Sequence, residues 1–283
     1  MPTSPRVAII APGSMGAAIG KLLTAKGLTV TTLTEGRSEA SRARAEAAGM
    51  SSVSISDIAD CDILLSIVPP AEARSLAEEL VAAGAFRVHK PLYVDCNAIA
   101  PDEAVAIADI VTAAGCRFAD SGIVGGAPTG AGARSPLFYV SGEHAGLMEP
   151  LANYGLEIKL LDAPVGSASA LKMAVAGISK GMTGILSLMI MVAERAGVAD
   201  AFMEQLERSQ PGLVSWGKRQ IPTLDRRAYR WVAEMEALER LAQKVPGGES
   251  LYAGLAELYA WIAQEAGDSE DLSHLLSRFP RPD

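Results

Sequence analysis

One lysine in the second half of the chain lies in a setting that could suit proton transfer. Lys172 lies in an apolar stretch, residues 167–176, where alanine, leucine, methionine and valine surround it. Burial disfavours the charged form of a lysine and lowers its pKa from the ordinary value of about 10.4. A lysine whose pKa falls toward neutrality can accept and return a proton, so Lys172 is a candidate general acid and base. The competing interpretation is a lysine that extends from a helix end into solvent.

A glycine-rich turn near the N-terminus has the spacing of a dinucleotide-binding loop. Residues 7–16 read VAIIAPGSMG, in which Ala11 takes the first glycine position of GxGxxG. The second glycine would let the backbone approach a pyrophosphate, and the third would let the next helix pack closely on the strand. The motif also suits an ordinary strand-turn-helix, but its place at the start of a βαβαβ pattern favours cofactor binding. The residues assigned to the cofactor here are Gly13, Ser14, Met15 and Gly16.

The choice between NAD and NADP depends on side chains about 20 residues further on. Glu35 could bind a ribose 2′-hydroxyl, whereas Arg37 and Ser38, followed by Arg42 and Arg44, could bind a 2′-phosphate. The sequence favours NADP over NAD. The competing interpretation places Arg42 and Arg44 on the solvated face of the next helix.

These groups need a scaffold, and the first part of the chain alternates β-branched runs with alanine-rich stretches. That alternation predicts βαβ units around a parallel sheet, so residues 1–162 are predicted to form a Rossmann dinucleotide-binding domain. The predicted strands cover residues 7–10, 29–33, 63–68, 92–94, 117–120 and 137–141. The predicted helices cover residues 14–26, 38–48, 71–83 and 101–114.

The second part of the chain, residues 163–283, has the 3.6-residue periodicity of helices. It is predicted to be an all-helical substrate and dimerisation domain, entered by a long interdomain helix over residues 167–195. Prolines at 211, 222 and 246 mark breaks, and the polar tail, residues 268–283, is expected to fray. The later predicted helices cover residues 202–210, 227–244 and 249–267.

Composition excludes several classes of function. Of the 283 residues, 25 are lysine or arginine and 33 are aspartate or glutamate, and the net charge of −8 is spread without a basic block, so nucleic-acid binding is not expected. Three cysteines and three histidines match no metal-binding spacing, and the cysteine usage fits a reducing cytoplasm. The longest nearly apolar stretch, residues 181–193, is too short to cross a bilayer, and residues 1–6 carry no apolar signal core.

Several short segments together resemble the β-hydroxyacid dehydrogenases, relatives of 6-phosphogluconate dehydrogenase, 3-hydroxyisobutyrate dehydrogenase and the imine reductases. The resemblance covers nearly the whole chain, and residues 230–236 are similar to a branch with a distinct helical C-terminal domain. It implies that Val68 and Pro69 lie beneath the nicotinamide ribose, that Asn97 lies between cofactor and substrate, and that Lys172 is catalytic. The segments that carry it are APGSMG at 11–16, IVPP at 67–70, DCNAIAP at 95–101, DSGIVGG at 120–126 and residues 166–176.

The chain also departs from the family pattern at the substrate positions. Val124 replaces a serine, Gly122 a proline, and Ala176 the asparagine partner of the catalytic lysine. The backbone of the following glycines could still hold a carboxylate, so an anionic small molecule is the expected substrate. The substrate positions that the resemblance implies are Ser121, Val124, Gly125, Gly126, Ala176 and Lys180.

Further polar residues could contribute to the site or simply face water. Ser179 and Lys180 follow Lys172 by about two helical turns and could orient a substrate in place of the missing asparagine. Arg134 and Ser135 could bind an anionic substrate. Glu234 and Glu236 could form the far wall of the active-site cleft or a dimer contact. Cys96 is interpreted as a small buried residue rather than a nucleophile.

The sequence thus predicts a cytoplasmic NAD(P)-dependent oxidoreductase acting on a small hydroxy acid or a related carbonyl compound. It is expected to be a homodimer, because family members often complete the cleft with a partner subunit. Two alternatives remain open at this point: an imine or ketone reductase on the same fold, and a binding protein that senses NADP without turnover.

Overall fold

The computed structural model describes residues 4–128, 130, 133–265 and 269–279, which form two compact units divided after Lys172. In the first unit eight strands form one sheet, in the order β3-β2-β1-β4-β5-β6-β7-β8. Strands β1 to β6 are parallel, β7 is antiparallel to β6, and β8 is parallel to β7. The strands are β1 (Val7–Ile10), β2 (Val30–Thr32), β3 (Ser51–Ser52), β4 (Ile63–Ser66), β5 (Leu92–Asp95), β6 (Arg117–Val124), β7 (Leu137–Ser141) and β8 (Glu157–Leu160).

Helices cover both faces of this sheet, which explains why its central strands are buried along their whole length. Val7 and Ile9 of β1 pack into one core, and Ala8 and Ile10 pack into the other, because successive side chains of a strand point to opposite faces. The predicted Rossmann domain is confirmed. Its crossover helices are α1 (Ser14–Ala25), α2 (Glu39–Ala47), α3 (Ala73–Ala82) and α4 (Pro101–Ala113), with 3₁₀ turns at Pro70–Glu72 and Ala145–Tyr154.

Two strands were not predicted, and one extends beyond its predicted end. β3 consists of two exposed serines, and β8 is a largely exposed edge strand, so neither carries an apolar pattern. β6 continues to Val124, because the antiparallel strand β7 pairs with it along residues 120–124.

In the residues that the structure describes, the regular elements of the second unit are all helices, as predicted. As predicted, Pro211 marks a break: α6 ends at Ser209, and Pro211 begins α7, because proline suits the first turn of a helix. The expectation that the tail frays is wrong for residues 269–279, where Ser269 caps α10 and Leu272, Leu275 and Phe279 are buried. The helices are α5 (Ser167–Arg195), α6 (Ala199–Ser209), α7 (Pro211–Gln220), α8 (Leu224–Ala242), α9 (Gly248–Gln264) and α10 (Glu270–Arg278).

Helix α5 has 29 residues, begins in the first unit and continues into the second. Among the described helices it alone is long and apolar enough to span a bilayer by length and composition, with a mean hydropathy of 1.6 in its most apolar window. The sequence analysis had considered only the shorter stretch 181–193. Within that window 44% is buried inside the protein.

Candidate functional site: the carboxyl edge of the sheet

The turn after β1 has the geometry of a phosphate-binding loop. The order β3-β2-β1-β4 reverses direction at β1 and β4, and ligands of open α/β sheets bind where that reversal occurs. The Ala11 N–H donates to the carbonyl oxygen of Ile67 at 3.1 Å, which ties the turns after β1 and β4 together. Gly13 has open space around its α-carbon, Ser14 is exposed at the first position of α1, and Met15 packs partly against the core. The backbone at Gly13 and the N-terminus of α1 can therefore receive a pyrophosphate.

The two glycines of this turn have different tasks, and substitution should separate them. A β-carbon at Gly16 would lie 2.1 Å from the Ala11 carbonyl oxygen, whereas one at Gly13 would meet nothing within 4 Å. We expect Gly16→Ala to destabilise the fold by about 1–3 kcal/mol, because the helix must move off the strand. Gly13→Ala should keep the wild-type melting temperature yet weaken NADPH binding, because its methyl group occupies the space that the pyrophosphate needs. Thermal unfolding and NADPH titration of both variants test this, and equal stability of the two would contradict it.

Three arginines lie in the turn after β2 or in α2, and one of them contacts this loop. Arg37 lies 3.7 Å from Glu72, and Arg42 donates to the carbonyl oxygen of Arg37. The Arg44 Nε donates to the Pro12 carbonyl oxygen at 3.1 Å, inside the phosphate loop itself. Arg44 is exposed on α2, as the competing interpretation expects, and it also contacts the loop through this hydrogen bond.

The rest of this turn contains the other residues assigned to cofactor choice. The Ser38 Oγ accepts from the Ser41 N–H at 3.3 Å and caps α2, so the serine is at a helix N-terminus. Glu35 is exposed. One carboxylate, Glu35, and three arginines therefore lie in or beside this turn. The arginines outnumber the acid, which favours a 2′-phosphate over a 2′-hydroxyl.

Asn97 joins the carboxyl ends of β4 and β5. Its Oδ1 accepts from the Val68 N–H at 2.7 Å, and its Nδ2 donates to the Ser66 Oγ at 3.0 Å and to Asp95 Oδ2 at 2.8 Å. Asn97 is buried, and both hydrogens of its amide are used inside the protein. Its side chain therefore shapes the Val68-Pro69 turn, and its expected direct contact with the cofactor remains a prediction.

Asp95 is a fully buried carboxyl group at the end of β5. Burial raises its pKa to about 6, although hydrogen bonds from Asn97 and the positive charge of Lys172 act in the opposite direction. The Asn97 N–H donates to its Oδ1 at 2.9 Å. In the sequence, Asp95 stands out only as part of the DCNAIAP motif, because the residue type alone does not show that this carboxyl group is buried.

The raised pKa of Asp95 makes stability depend on pH. The folded protein holds this proton more tightly than the unfolded chain, so the stabilisation is complete below the ordinary pKa of 3.8 and is lost as pH rises through 6. We expect the free energy of unfolding of the wild type, relative to Asp95→Asn, to fall by about 3 kcal/mol between pH 3.5 and 7. Urea unfolding across that range measures the difference, and a difference that does not change with pH would contradict it.

Lys172 lies at the same edge, in the second turn of α5. A β-carbon at Gly122 would lie 2.6 Å from the Ala168 carbonyl oxygen and 3.0 Å from the Lys172 Cβ, so glycine at 122 allows β6 and α5 to approach closely. Lys172 is half-buried, and its positive charge partly opposes the burial that raises the pKa values of Asp95 and Cys96. The lysine is thus near the ends of β5 and β6, where the family resemblance implies catalysis. The thiol of Cys96 is buried, and burial raises its pKa, consistent with the interpretation that it is not a nucleophile.

The predicted substrate residues divide into two groups. Val124 is partly exposed, and Gly125 and Gly126, which follow it at the end of β6, are exposed. Ser121 is completely buried and neighbours Cys96, on the face of β6 opposite to Gly122. The structure therefore places the two glycines in an accessible position and directs the Ser121 side chain into the sheet core.

The remaining candidates lie elsewhere. Lys180 forms an ion pair with Glu234, and its Nζ is 5.7 Å from the centre of the Trp231 ring, so this lysine is engaged within the second unit. Ala176 is half-buried, and Glu236 is exposed. Among the candidates for an anion, Arg134 is exposed, whereas the Ser135 Oγ donates to the Pro136 carbonyl oxygen at 2.6 Å.

Comparison with known proteins agrees with this architecture. The family model of the NAD binding domain of 6-phosphogluconate dehydrogenase matches residues 6–153, and a domain of unknown function (DUF1932) matches residues 193–262. A relative from Methanothermus fervidus, an uncharacterized 28.5 kDa protein in the 7S RNA 5′ region, is 27% identical over 207 residues, which are 72% of this chain and 77% of the relative.

Solved structures resemble the chain over almost its whole length. The conserved protein MTH1747, described as similar to 3-hydroxyacid dehydrogenases, has a TM-score of 0.77 and 24% identity over 93% of this chain and 100% of its own. Mycobacterium tuberculosis 3-hydroxyisobutyrate dehydrogenase with L-serine has a TM-score of 0.74 and 16% identity over 98% and 99% of the two chains. An imine reductase variant from Myxococcus stipitatus in complex with NAD⁺ has a TM-score of 0.59 and 21% identity over 98% and 99%.

These three structural similarities show the fold, and the family model spans slightly more than half of the chain. The chain therefore belongs to the family whose model describes the NAD binding domain of 6-phosphogluconate dehydrogenase.

Proposed function

We propose that the protein is an NADP-dependent oxidoreductase that interconverts a small hydroxy acid and its carbonyl form, with Lys172 as general acid and base. The observation that carries this proposal is the clustering of the Lys172 helix with the ends of β5 and β6, at the sheet edge that holds the phosphate loop. The open backbone at Gly13 and the helix N-terminus fit a dinucleotide. Arg44, which contacts this loop, and the nearby Arg37 and Arg42 favour NADP.

The reaction divides into a part for the cofactor and a part for the protein. A nicotinamide bound at the phosphate loop would supply the hydride chemistry. When an alcohol is oxidised, the neutral amine of Lys172 takes the hydroxyl proton while the hydride leaves the carbon. In the reverse direction the ammonium group of Lys172 returns that proton to the carbonyl oxygen. The exposed backbone of Gly125 and Gly126 offers N–H groups to a substrate carboxylate, which supports an anionic substrate.

Turnover of defined probes tests the proposal. The purified protein is incubated with NADP⁺ and 3-hydroxyisobutyrate, L-serine or further hydroxy acids, and nicotinamide absorbance is followed. Reduction of NADP⁺ by a hydroxy acid is the expected result. Turnover of imines alone would replace the proposal with an imine reductase, and NADPH binding without turnover of any hydroxy acid, ketone or imine would replace it with a sensor.

We also propose that two copies associate through the exposed face of α5. Six apolar side chains, spaced alternately three and four residues apart, are between 40% and 64% exposed along this helix. The opposite face packs within the second unit, where Gly177 lies against Leu238 and Gly184 against Leu255. A 3–4 spacing is the pattern of a helix that pairs with another helix. The exposed residues are Val175, Ile178, Met182, Ile185, Met189 and Val192.

This arrangement makes the oligomeric state sensitive to charge on α5. We expect the wild type to be a dimer by light scattering. The double variant Ile178→Glu, Ile185→Glu should be a monomer, because burying two glutamates in an apolar helix interface costs too much free energy of desolvation. Val198→Glu is the matched control, since Val198 is similarly exposed but lies outside this face of α5. A monomeric wild type would contradict the proposal, and binding of the wild type to lipid vesicles without self-association would assign the face to a membrane.

A further inference from the structure

The first turn of α5 is held by a carboxylate from the middle of a strand. Asp120 Oδ2 accepts hydrogen bonds from the Gly166 N–H at 2.9 Å and from the Ser169 N–H at 3.0 Å. Asp120 Oδ1 accepts from the Ser169 hydroxyl at 2.7 Å. The first N–H groups of a helix lack partners within the helix, and a negative charge near them is favourable. Asp120 therefore caps a helix that begins more than 40 residues later in the chain.

The strand beside Asp120 completes the cap. Ser141 lies directly opposite Asp120 in the antiparallel pair of β6 and β7. The Ser141 hydroxyl donates to Asp120 Oδ2 at 3.1 Å, and its oxygen accepts from the Ala168 N–H at 3.0 Å. One cross-strand pair therefore satisfies three backbone N–H groups of the helix start.

The same face of β6 meets the helix again one turn later. Asp120 and Gly122 point to one side of the strand, because side chains alternate along it. Gly122 is packed against the Ala168 carbonyl oxygen and the Lys172 Cβ. Ser169 and Lys172 are three residues apart, so they are neighbours on the helix surface. Contacts at these two positions hold the first two turns of α5, residues 167–172, against β6.

We propose that Asp120, Ser141 and Ser169 form a positioning cluster that sets the place of the Lys172 amine for proton transfer. This inference rests on the proposed function of Lys172. A cap for stability alone requires only a serine, threonine or aspartate at the start of the helix itself. Here a fully buried carboxylate is used instead, and burying a charge is costly unless several hydrogen bonds satisfy it. Such an arrangement ties the helix to the middle of β6 as well as capping it.

The decisive variants change hydrogen bonds without changing charge, because loss of a charge alone would alter the pKa of a nearby lysine. Ser169→Ala and Ser141→Ala are therefore the test, and Ser187→Ala, a fully buried serine later in the same helix, is the matched control. Acetylation of Lys172 by acetic anhydride is measured by peptide mass spectrometry across pH. Lys218, whose side chain is 62% exposed, is the internal reference.

We expect the pH midpoint of Lys172 acetylation to move toward that of Lys218 by at least about half a unit in both test variants, a threefold change in the fraction of free amine. Ser187→Ala should leave it unchanged. With a hydroxy acid that the wild type oxidises, kcat should fall by about 10- to 100-fold at unchanged affinity for NADPH.

Two results would overturn the inference. One is an unchanged midpoint in Ser169→Ala and Ser141→Ala while their melting temperatures fall, which would make the cluster a cap for stability only. The other is a wild-type Lys172 that already titrates like Lys218. If the midpoint moves as expected but no probe is turned over, the positioning cluster stands and the proposed function fails.

Discussion

Lys172→Met should reduce turnover by about 10²- to 10⁴-fold, the contribution that a positioned general acid and base typically makes. Methionine keeps an unbranched chain of similar length at this half-buried position and removes only the amine. Affinity for NADPH should remain within twofold of the wild type, because the phosphate loop and the arginines lie in other parts of the first unit. Steady-state kinetics with the hydroxy acid identified by the substrate panel, together with an NADPH titration, gives both quantities.

The matched control is Lys218→Met, which removes an exposed lysine paired with Glu207 at 3.5 Å and should leave turnover unchanged. Oxidation needs the neutral amine, so the oxidation rate of the wild type should rise with pH. This rise with pH should be absent in Lys172→Met. If the variant keeps turnover within a few-fold of the wild type, proton transfer belongs to another group.

Removal of the arginines beside the phosphate loop should change cofactor choice. We expect Arg37→Ala and Arg44→Ala each to weaken NADPH binding by about 10-fold or more, because a charge-assisted hydrogen bond to a phosphate is worth about 1.5–3 kcal/mol. NADH lacks the 2′-phosphate, so its affinity should change by less than threefold. Nicotinamide fluorescence titrations with both cofactors measure the two effects.

The control for this experiment is Arg240→Ala, an exposed arginine in the second unit. Glu35→Ala completes the set, because an acid that binds a ribose 2′-hydroxyl would weaken only NADH when removed. Equal losses of NADPH and NADH affinity in Arg44→Ala would mean that Arg44 supports the loop through Pro12 instead of selecting the phosphate.

The sequence was informative where the physical signal is local. The apolar runs of β1, β4 and β5 predicted a sheet covered on both faces, and the strand-turn-helix around Gly13 and Gly16 predicted the phosphate loop. Lys172 emerged from the order of several motifs. β3, with two serines, and the exposed edge strand β8 have no such signal, so they were missed.

The relations that were missed join distant parts of the chain. The role of Asp120 depends on a helix that starts more than 40 residues later, and the contact of Arg44 with Pro12 depends on how α2 packs beside the loop. Lys180 seemed suited to substrate because it shares a helix face with Lys172, but Glu234, 54 residues away, pairs with it. Spacing within a helix does not reveal partners brought by another helix.

The central claim is that the carboxyl edge of this sheet binds NADP(H). Titration of the wild-type protein with NADPH and with NADH, followed by nicotinamide fluorescence, tests it most directly. We predict saturable binding of both, with NADPH at least about 10-fold tighter because of the arginine contacts to its 2′-phosphate. Tighter binding of NADH would assign the ribose to Glu35, and binding of neither cofactor would contradict the oxidoreductase function itself.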